Sequence, residues 1–155
     1  SRHRKSKEAL PRTLFDRLFA AKNFQVGLKI IRQLGFLLFD LRIHSQENRP
    51  WMDIYREIQR QLSVLPQADY DRFPHAFTHI FSGGYAAGYY SYLWAEVLSA
   101  DAYDLFRRTE DRTKVGQRFW QEVLSRGGSR PAYQSFVAFV GREPKTEALL
   151  EQLGL

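Results

Sequence analysis

The chain has 155 residues, of which 44% are hydrophobic and 26% are charged, as is typical of a single soluble globular domain with one core. It contains no cysteine, which excludes a disulfide framework and a thiolate nucleophile or metal ligand, and which fits a cytoplasmic location. No apolar run approaches the roughly 20 residues of a membrane-spanning helix, and the N-terminal residues lack the apolar stretch of a signal peptide, so we expect no membrane contact and no secretion.

The formal net charge of +6 is concentrated at the N-terminus. Residues 1–12 contain five basic side chains against one acidic side chain, whereas the rest of the chain is nearly balanced. Nucleic-acid readers typically carry a basic stripe on one face of a structural element, and a charged terminal arm without such a pattern is more often solvated. We therefore expect no nucleic-acid partner, and a basic helical nucleic-acid binder is retained only as a third alternative.

Apolar residues recur at helical spacing along almost the whole chain. The helices predicted from this spacing span residues 11–22, 24–44, 51–65, 101–108, 113–126, 133–140 and 145–153. The helix 24–44 has a broad apolar face and is predicted to be a central buried element, and Pro66 is predicted to end the helix 51–65. Because no stretch alternates as a strand would and no internal repeat occurs, the predicted fold is an all-α, multi-helix domain.

Two histidines spaced by four residues, His75 and His79, stand in the segment FPHAFTHIFSGGYAAGYYSYLWAEV. On one helix such a pair faces the same side and could ligate a metal, but the zinc-peptidase motif H-E-x-x-H also needs a glutamate as general base. Ala76 occupies that position, and the other two histidines stand at unrelated spacings. Catalytic zinc normally has three protein ligands, so we expect no metal site within this chain and interpret each histidine as hydrogen-bonded near a loop.

The residues that follow Gly83 and Gly84 divide into two faces if the chain is helical from Tyr85 onward. One face would carry Tyr85, Tyr89, Tyr92 and Glu96. The other would carry the ordinary apolar residues Tyr90, Leu93, Trp94 and Val97. Since such a helix already has a face for the core, the tyrosine face needs a separate explanation.

Two explanations of the tyrosine face remain open. The rings could simply pack, with each hydroxyl satisfied at the edge of a core. Alternatively, the hydroxyls could line a cleft, because a phenol stays protonated at neutral pH and can donate a hydrogen bond to an oxygen that becomes negative in a tetrahedral intermediate. The small residues Ala86, Ala87 and Gly88 would leave room for a substrate backbone beside them.

Three stretches carry a resemblance to a known family. HIFSGGYAAGYYSYLWAEVLSADAYDLF resembles the signature near the C-terminus of the thimet oligopeptidase family of zinc metallopeptidases. AAKNFQVGLKIIRQLGFLLFDLRIH resembles the long helix that follows the metal site in this family, and GREPKTEALLEQLGL resembles its terminal segment. The resemblance implies an almost wholly helical peptidase with a deep channel, which admits short peptides and excludes folded proteins. Residues 1–155 would form the C-terminal helical portion of the catalytic domain.

The resemblance also implies roles for individual residues. Tyr92 and Tyr85 would be catalytic, since they match tyrosines that contact the scissile carbonyl and stabilise its oxyanion. The substrate-binding residues implied in the same way are His79, Gly83, Gly84 and Tyr89. No role in the family is implied for His75.

The family's H-E-x-x-H motif does not occur in these 155 residues. The resemblance therefore implies that zinc is a cofactor of a longer parent enzyme, with ligands outside this chain, and that this chain alone holds no zinc and is inactive. Its expected partners are short peptide substrates and the missing N-terminal portion of the same enzyme, and surface exposed without that portion favours self-association. A non-catalytic helical peptide-binding module is the alternative function.

Overall fold

A computed structural model describes residues 2–45 and 48–155 of the chain. The α-helices within these ranges are α1 Arg12–Lys22, α2 Val26–His44, α3 Trp51–Leu62, α4 Phe73–Ala76, α5 Tyr90–Arg108, α6 Arg112–Phe119, α7 Ala132–Val140 and α8 Glu147–Leu153. The described residues contain no β-strand beyond one isolated bridge between Arg2 and Ala9, so the predicted all-α class is confirmed. None of the helices in the described ranges is long and apolar enough to cross a bilayer.

The first part of the core lies between α2 and α3 and is closed by the segment that contains α4. Its buried members are Phe39, Ile54, Tyr55, Ile58, Phe77 and Ile80. Gly35 faces α3, since a β-carbon at this position would lie in ordinary van der Waals contact, at 3.9 Å, with the side chains of Ile58 and Leu62. The helix 24–44 was predicted to be central and buried; α2 does pack on both α3 and α5, but only four of its 19 residues are buried.

The second part of the core surrounds α5. One side of this helix packs on α8 through Val97, Ala100, Ala148 and Leu149. Another side meets the aromatic residues of α7, where Phe136, Phe139 and Val140 are buried. Because α5 touches α2 as well as α6, α7 and α8, it joins the two parts of the core.

A buried carboxylate connects α5 to the segment between α7 and α8. Asp101 is only 1% exposed, and it accepts hydrogen bonds from both terminal nitrogens of Arg142, at 2.7 and 2.6 Å, and from the backbone N–H of Lys145 at 2.8 Å. The hydrogen bonds from Arg142 are the main reason that the pKa of Asp101 lies below its ordinary value. This ion pair therefore holds the start of α8 against α5 at neutral pH.

Two predicted helices end differently in the structure. The predicted helix 51–65 stops at Leu62, because the next residue is extended and its hydroxyl donates to a backbone carbonyl further along, a local bond that competes with the helix. The predicted helix 113–126 is α-helical only to Phe119 and continues as the π-helical turn Trp120–Leu124. Apolar spacing does not register either change, because both depend on local backbone bonding.

Replacing Asp101 with asparagine tests the ion pair between α5 and the segment before α8. We expect Asp101→Asn to lower the free energy of unfolding by about 2–3 kcal/mol at pH 7, less than a fully buried pair would lose because Arg142 is partly exposed. A depressed carboxyl pKa stabilises the fold above the unfolded-state pKa of about 4 and ceases to do so as the pH falls, so the difference between the two proteins should shrink in acid.

Urea unfolding at several pH values measures this difference. The matched control is Asp16→Asn, which removes the exposed ion pair between Asp16 and Arg12 in α1 and should change the unfolding free energy by less than about 0.5 kcal/mol. Equal effects of the two substitutions would contradict a structural role for the buried pair.

Candidate functional site

The loop between the 3₁₀ turn Thr78–Ile80 and α5 needs both of its paired glycines. The N–H of Gly83 donates to the carbonyl of Thr78 at 2.9 Å, so the loop folds back onto the turn. A β-carbon on Gly83 would lie 2.8 Å from the backbone of His79, closer than real contacts allow. Gly84 adopts a φ of +80°, which L-residues with side chains rarely adopt. Glycine is therefore required at position 83 by the close approach of two backbone segments, and it is favoured at position 84 by the left-handed backbone conformation.

Tyr85 does not belong to a helix, so this part of the sequence-based prediction is wrong. The helix α5 begins at Tyr90, and the preceding residues form a turn in which the N–H of Gly88 donates to the carbonyl of Tyr85 at 2.8 Å. A continuous helix would separate Tyr85 from Tyr92 by about 10 Å along its axis. The turn instead brings their ring centroids to 5.1 Å.

Tyr89 completes the cluster of three tyrosines from the inner side. Its ring centroid lies 5.1 Å from that of Tyr92, and its edge packs on Phe77 at 5.0 Å. Its hydroxyl donates to Oε1 of Gln33 on α2 at 3.2 Å. Packing therefore accounts for Tyr89, whereas Tyr85 and Tyr92 remain 37% and 42% exposed, so part of each ring can meet a ligand.

Tyr92 and Tyr89 are neutral at physiological pH. A hydrogen bond with the Tyr85 hydroxyl, together with desolvation, raises the pKa of Tyr92 above its ordinary value of 10. Burial raises the pKa of Tyr89 in the same direction. Both groups therefore keep their protons and can act only as neutral hydrogen-bond donors or acceptors.

The two histidines of the H-A-F-T-H stretch lie in different environments. Phe77, with φ −84° and ψ 66°, interrupts the helix between them, so the shared helix face that their spacing would create does not exist. His75 packs its ring against the edge of Trp51 at 4.7 Å. His79 faces the cluster, with its ring centroid 6.5 Å from Tyr85 and 6.2 Å from Tyr89.

No group of three histidine, cysteine, aspartate or glutamate side chains that could hold a metal ion occurs among residues 2–45 and 48–155. The ring of His79 lies among the aromatic rings of Phe77, Tyr85 and Tyr89. The residues described here therefore do not fit a catalytic zinc ion, which normally takes three protein ligands.

The apolar face predicted for the segment after Tyr85 is only half correct. Leu93 and Val97 pack against α8 as expected for core residues. Tyr90 and Trp94 lie on the same helix but are exposed instead, because no described element covers this side of its first turns.

Sequence reasoning missed Asp40, which lies against the cluster. Its carboxylate is fully buried in α2 and accepts the backbone N–H groups of Ala87 and Tyr89, each at 2.9 Å. Nδ1 of His44 lies 2.9 Å from the same carboxylate. Asp40 is the only acidic residue in the otherwise largely apolar helix α2, and a lone carboxylate in an apolar run was the available signal.

Comparison with known proteins identifies the family. Residues 1–155 match peptidase family M3 along their whole length. The chain belongs to peptidase family M3. It is 48% identical to oligopeptidase A of Salmonella typhimurium and 46% identical to oligopeptidase A of Escherichia coli, over 160 residues in each case. It is 42% identical to probable cytosolic oligopeptidase A of Arabidopsis thaliana over 164 residues. The resemblance inferred from the sequence motifs is thus confirmed.

The alignments cover 100% of this M3 chain but only 23–24% of each of these relatives. The chain therefore spans about a quarter of the length of the relatives it matches. Within that quarter, the exposed phenols of Tyr85 and Tyr92, the more buried phenol of Tyr89 and the glycine loop form one surface, which we call the wall. This arrangement can donate hydrogen bonds to a substrate oxygen, but it contains no nucleophile with an adjacent base.

Replacing Gly83 with alanine tests whether the loop depends on close backbone approach. We expect Gly83→Ala to lower the free energy of unfolding by about 1–3 kcal/mol, since the added methyl group meets the backbone of His79 and the loop must shift. The control is Gly128→Ala, where nothing lies within 4 Å of the new methyl group. Thermal or urea unfolding compares the two, and equal stability of both variants would refute the close approach.

Proposed function

We propose that this chain forms one wall of the peptide-binding channel of a metal-dependent oligopeptidase, in which Tyr92 and Tyr85 donate hydrogen bonds to the reacting carbonyl oxygen. Residues 1–155 would be the C-terminal helical portion of its catalytic domain. The single observation that carries the proposal is the contact between two partly exposed phenols, one in a glycine-rich loop and one in the first turn of α5.

The chemistry of peptide hydrolysis explains why this pair is useful. Attack on a peptide carbonyl turns its oxygen into an oxyanion, and preorganised donors stabilise this state more than the neutral carbonyl that precedes it. Tyr92 is held by α5 and Tyr85 by the loop, so the donors approach the oxygen from two elements. The glycines Gly83 and Gly84 keep the loop close to the turn that carries His79, and we propose that these three residues line the substrate backbone.

Tyr89 has a different part in this proposal. Its hydroxyl already donates to Gln33, and its ring packs against both Phe77 and Tyr92. We propose that Tyr89 contributes a ring surface to the substrate side of the wall, while its hydroxyl fixes the position of that ring. It would therefore bind substrate through packing rather than through the oxyanion.

Zinc is the proposed cofactor of the whole enzyme. When bound, it would supply Lewis-acid polarisation and an activated water at neutral pH. The ligand set is absent from the described residues, and H-E-x-x-H is absent from the sequence, so we propose that the ligands come from another part of the protein. On this basis the 155-residue chain alone is inactive.

The proposed substrates, location and partners of the chain rest on its relatives and on its exposed apolar surface. We propose short peptides as substrates, as the word oligopeptidase in the names of the relatives suggests, and the cytoplasm as location, in keeping with the probable cytosolic relative. Every residue of α1 is exposed, including Leu14, Phe15, Leu18 and Phe19. We propose that this apolar face packs on the rest of the same enzyme, and that it promotes self-association when the chain is isolated.

The zinc assignment makes a prediction for the isolated chain. Because three protein ligands are normally needed, we expect the purified 155-residue chain to bind no stoichiometric zinc and to cleave no peptide. Metal analysis by mass spectrometry and a fluorogenic peptide assay, each with and without added zinc, measure both properties. Chelator-sensitive cleavage by this chain would contradict the proposal, whereas peptide binding without cleavage by the full-length protein would favour the non-catalytic binding module.

Tyr92→Phe in the full-length protein tests the oxyanion assignment. Since the bond is stronger in the transition state than in the ground state, we expect kcat to fall about 100- to 1000-fold, with KM nearly unchanged. Tyr85→Phe should act in the same direction but less strongly, because its loop must be in place before it contributes.

The matched control for both variants is Tyr133→Phe. The hydroxyl of Tyr133 donates to Glu143 at 2.8 Å on the surface, so its removal tests the loss of a phenol hydrogen bond remote from the cluster. We expect turnover to stay within about twofold of the wild type, since surface changes away from the site have little effect. Normal turnover in a stably folded Tyr92→Phe enzyme would refute the assignment.

A further inference from the structure

The tyrosine cluster is connected to the core by a carboxylate that the proposed reaction does not use. Asp40 is fully buried beside Phe39, which is itself a member of the core between α2 and α3. Its two oxygens are shared out between donors of one loop: Oδ1 accepts the N–H of Ala87 and Oδ2 accepts the N–H of Tyr89. A buried carboxylate without such donors would be strongly destabilised, so the loop and the carboxylate require each other.

The loop conformation that satisfies Asp40 is an unusual one. Ala87 adopts a φ of +52°, in the left-handed region that is unfavourable for a residue with a β-carbon. Such a conformation persists only where the surroundings impose it. The hydrogen bond from Ala87 to Asp40 is a contact that imposes it, and it bends the chain just after Tyr85 and just before α5.

His44 supports the carboxylate from the next turn of α2. Its Nδ1 lies 2.9 Å from Oδ1 of Asp40 and 2.8 Å from the backbone carbonyl of the same residue. Both of these atoms are acceptors, so we place the imidazole proton on Nδ1; the N–H of Ala87, which lies 3.4 Å from the same nitrogen, then donates to Asp40 alone. Asp40 therefore has a third donor, and its orientation does not depend on the loop alone.

Gln33 holds the same loop from two turns earlier on α2. Residues 33 and 40 lie seven positions apart and so on the same face of the helix. Oε1 of Gln33 accepts a hydrogen bond from the hydroxyl of Tyr89, and Asp40 accepts one from the backbone N–H of Tyr89. Two side chains of α2 therefore hold both the ring and the backbone of Tyr89. We call Asp40 and Gln33 together the α2 clamp.

We infer that the α2 clamp positions Tyr85 and Tyr92 for catalysis, an inference that rests on the proposed oxyanion role of these two phenols. The clamp holds the backbone between them and the ring of Tyr89, which lies 5.1 Å from that of Tyr92. Because α2 is part of the core, the α2 clamp holds the loop in a fixed position relative to the core. Asp40 and Gln33 are therefore positioning residues, which act through the tyrosines and do not touch the substrate.

A purely structural role of Asp40 leads to a different prediction. Tyr89 is the N-cap residue of α5 and has no capping side chain of its own, so the Asp40 carboxylate also stabilises the start of that helix. If this were its only effect, replacing Asp40 would lower stability without a specific effect on turnover. The test must therefore compare Asp40 with another buried carboxylate that stabilises the fold but lies away from the cluster.

Asp101 is that matched control, since it too is buried and accepts a backbone N–H. In the full-length protein, below the unfolding temperature of every variant, we expect Asp40→Asn to lower kcat about 10- to 100-fold with KM nearly unchanged, because misplaced donors lose orientation. Asn presents an N–H₂ group to one of the loop N–H donors, so one bond is lost. Asp101→Asn should keep kcat within about twofold, since it lies outside the site.

Hydrogen exchange gives a readout that does not depend on activity. The amides of Ala87 and Tyr89 should exchange faster in Asp40→Asn, and not in Asp101→Asn, when peptides covering residues 82–92 are followed by mass spectrometry. Gln33→Met is the milder second variant in case Asp40→Asn does not fold, because Gln33 is half-buried and the carboxylate stays in place. It should lower kcat in the same direction.

The outcomes separate this inference from the proposed function. Normal turnover in Asp40→Asn, or equal losses of kcat in Asp40→Asn and Asp101→Asn, would overturn the positioning role while leaving the tyrosine assignment intact. If Asp40→Asn does not fold, normal turnover in Gln33→Met would overturn it in the same way. Normal turnover in Tyr92→Phe would overturn both.

Discussion

Asp40, fully buried in α2, accepts two backbone N–H groups from the loop that leads into α5, and the geometry of the tyrosine cluster depends on this contact. The N–H groups of an irregular segment have no acceptor within a helix, and leaving them buried without a partner costs about as much as a lost hydrogen bond. Asp101 serves the segment before α8 in the same way, through Arg142 and Lys145. Buried carboxylates thus connect the irregular segments to the helices.

The cluster exists because the backbone leaves regular geometry at three nearby positions. Gly83 lies against the backbone of His79, Gly84 has a φ of +80°, and Ala87 has a φ of +52°. A regular helix through the same residues would have kept Tyr85 and Tyr92 two turns apart. The unfavourable backbone conformation is balanced by buried hydrogen bonds, and its result is a pair of phenols that come from two elements and face solvent together.

Membership of peptidase family M3 and the geometry of the cluster answer different questions about this chain. The family match covers residues 1–155 and establishes relatedness to oligopeptidases, although the chain spans only about a quarter of the relatives' length. The geometry identifies what this quarter can contribute, namely neutral hydrogen-bond donors and a shaped wall. The described residues do not contain the ligands of a metal, so the chemistry proposed for them is binding and orientation.

The sequence by itself determined the all-α class, the long helix α2, and the family, because apolar periodicity, proline and glycine breaks and contiguous motifs are local properties of the chain. The sequence also predicted that Tyr85, Tyr89 and Tyr92 lie together, although it placed them on a helix that does not form before Tyr90. Only the tertiary structure decided how these rings meet and that Asp40 holds their loop. The two ends of that contact are 47 residues apart, and no local pattern specifies which backbone N–H will reach a buried carboxylate once the helices have packed.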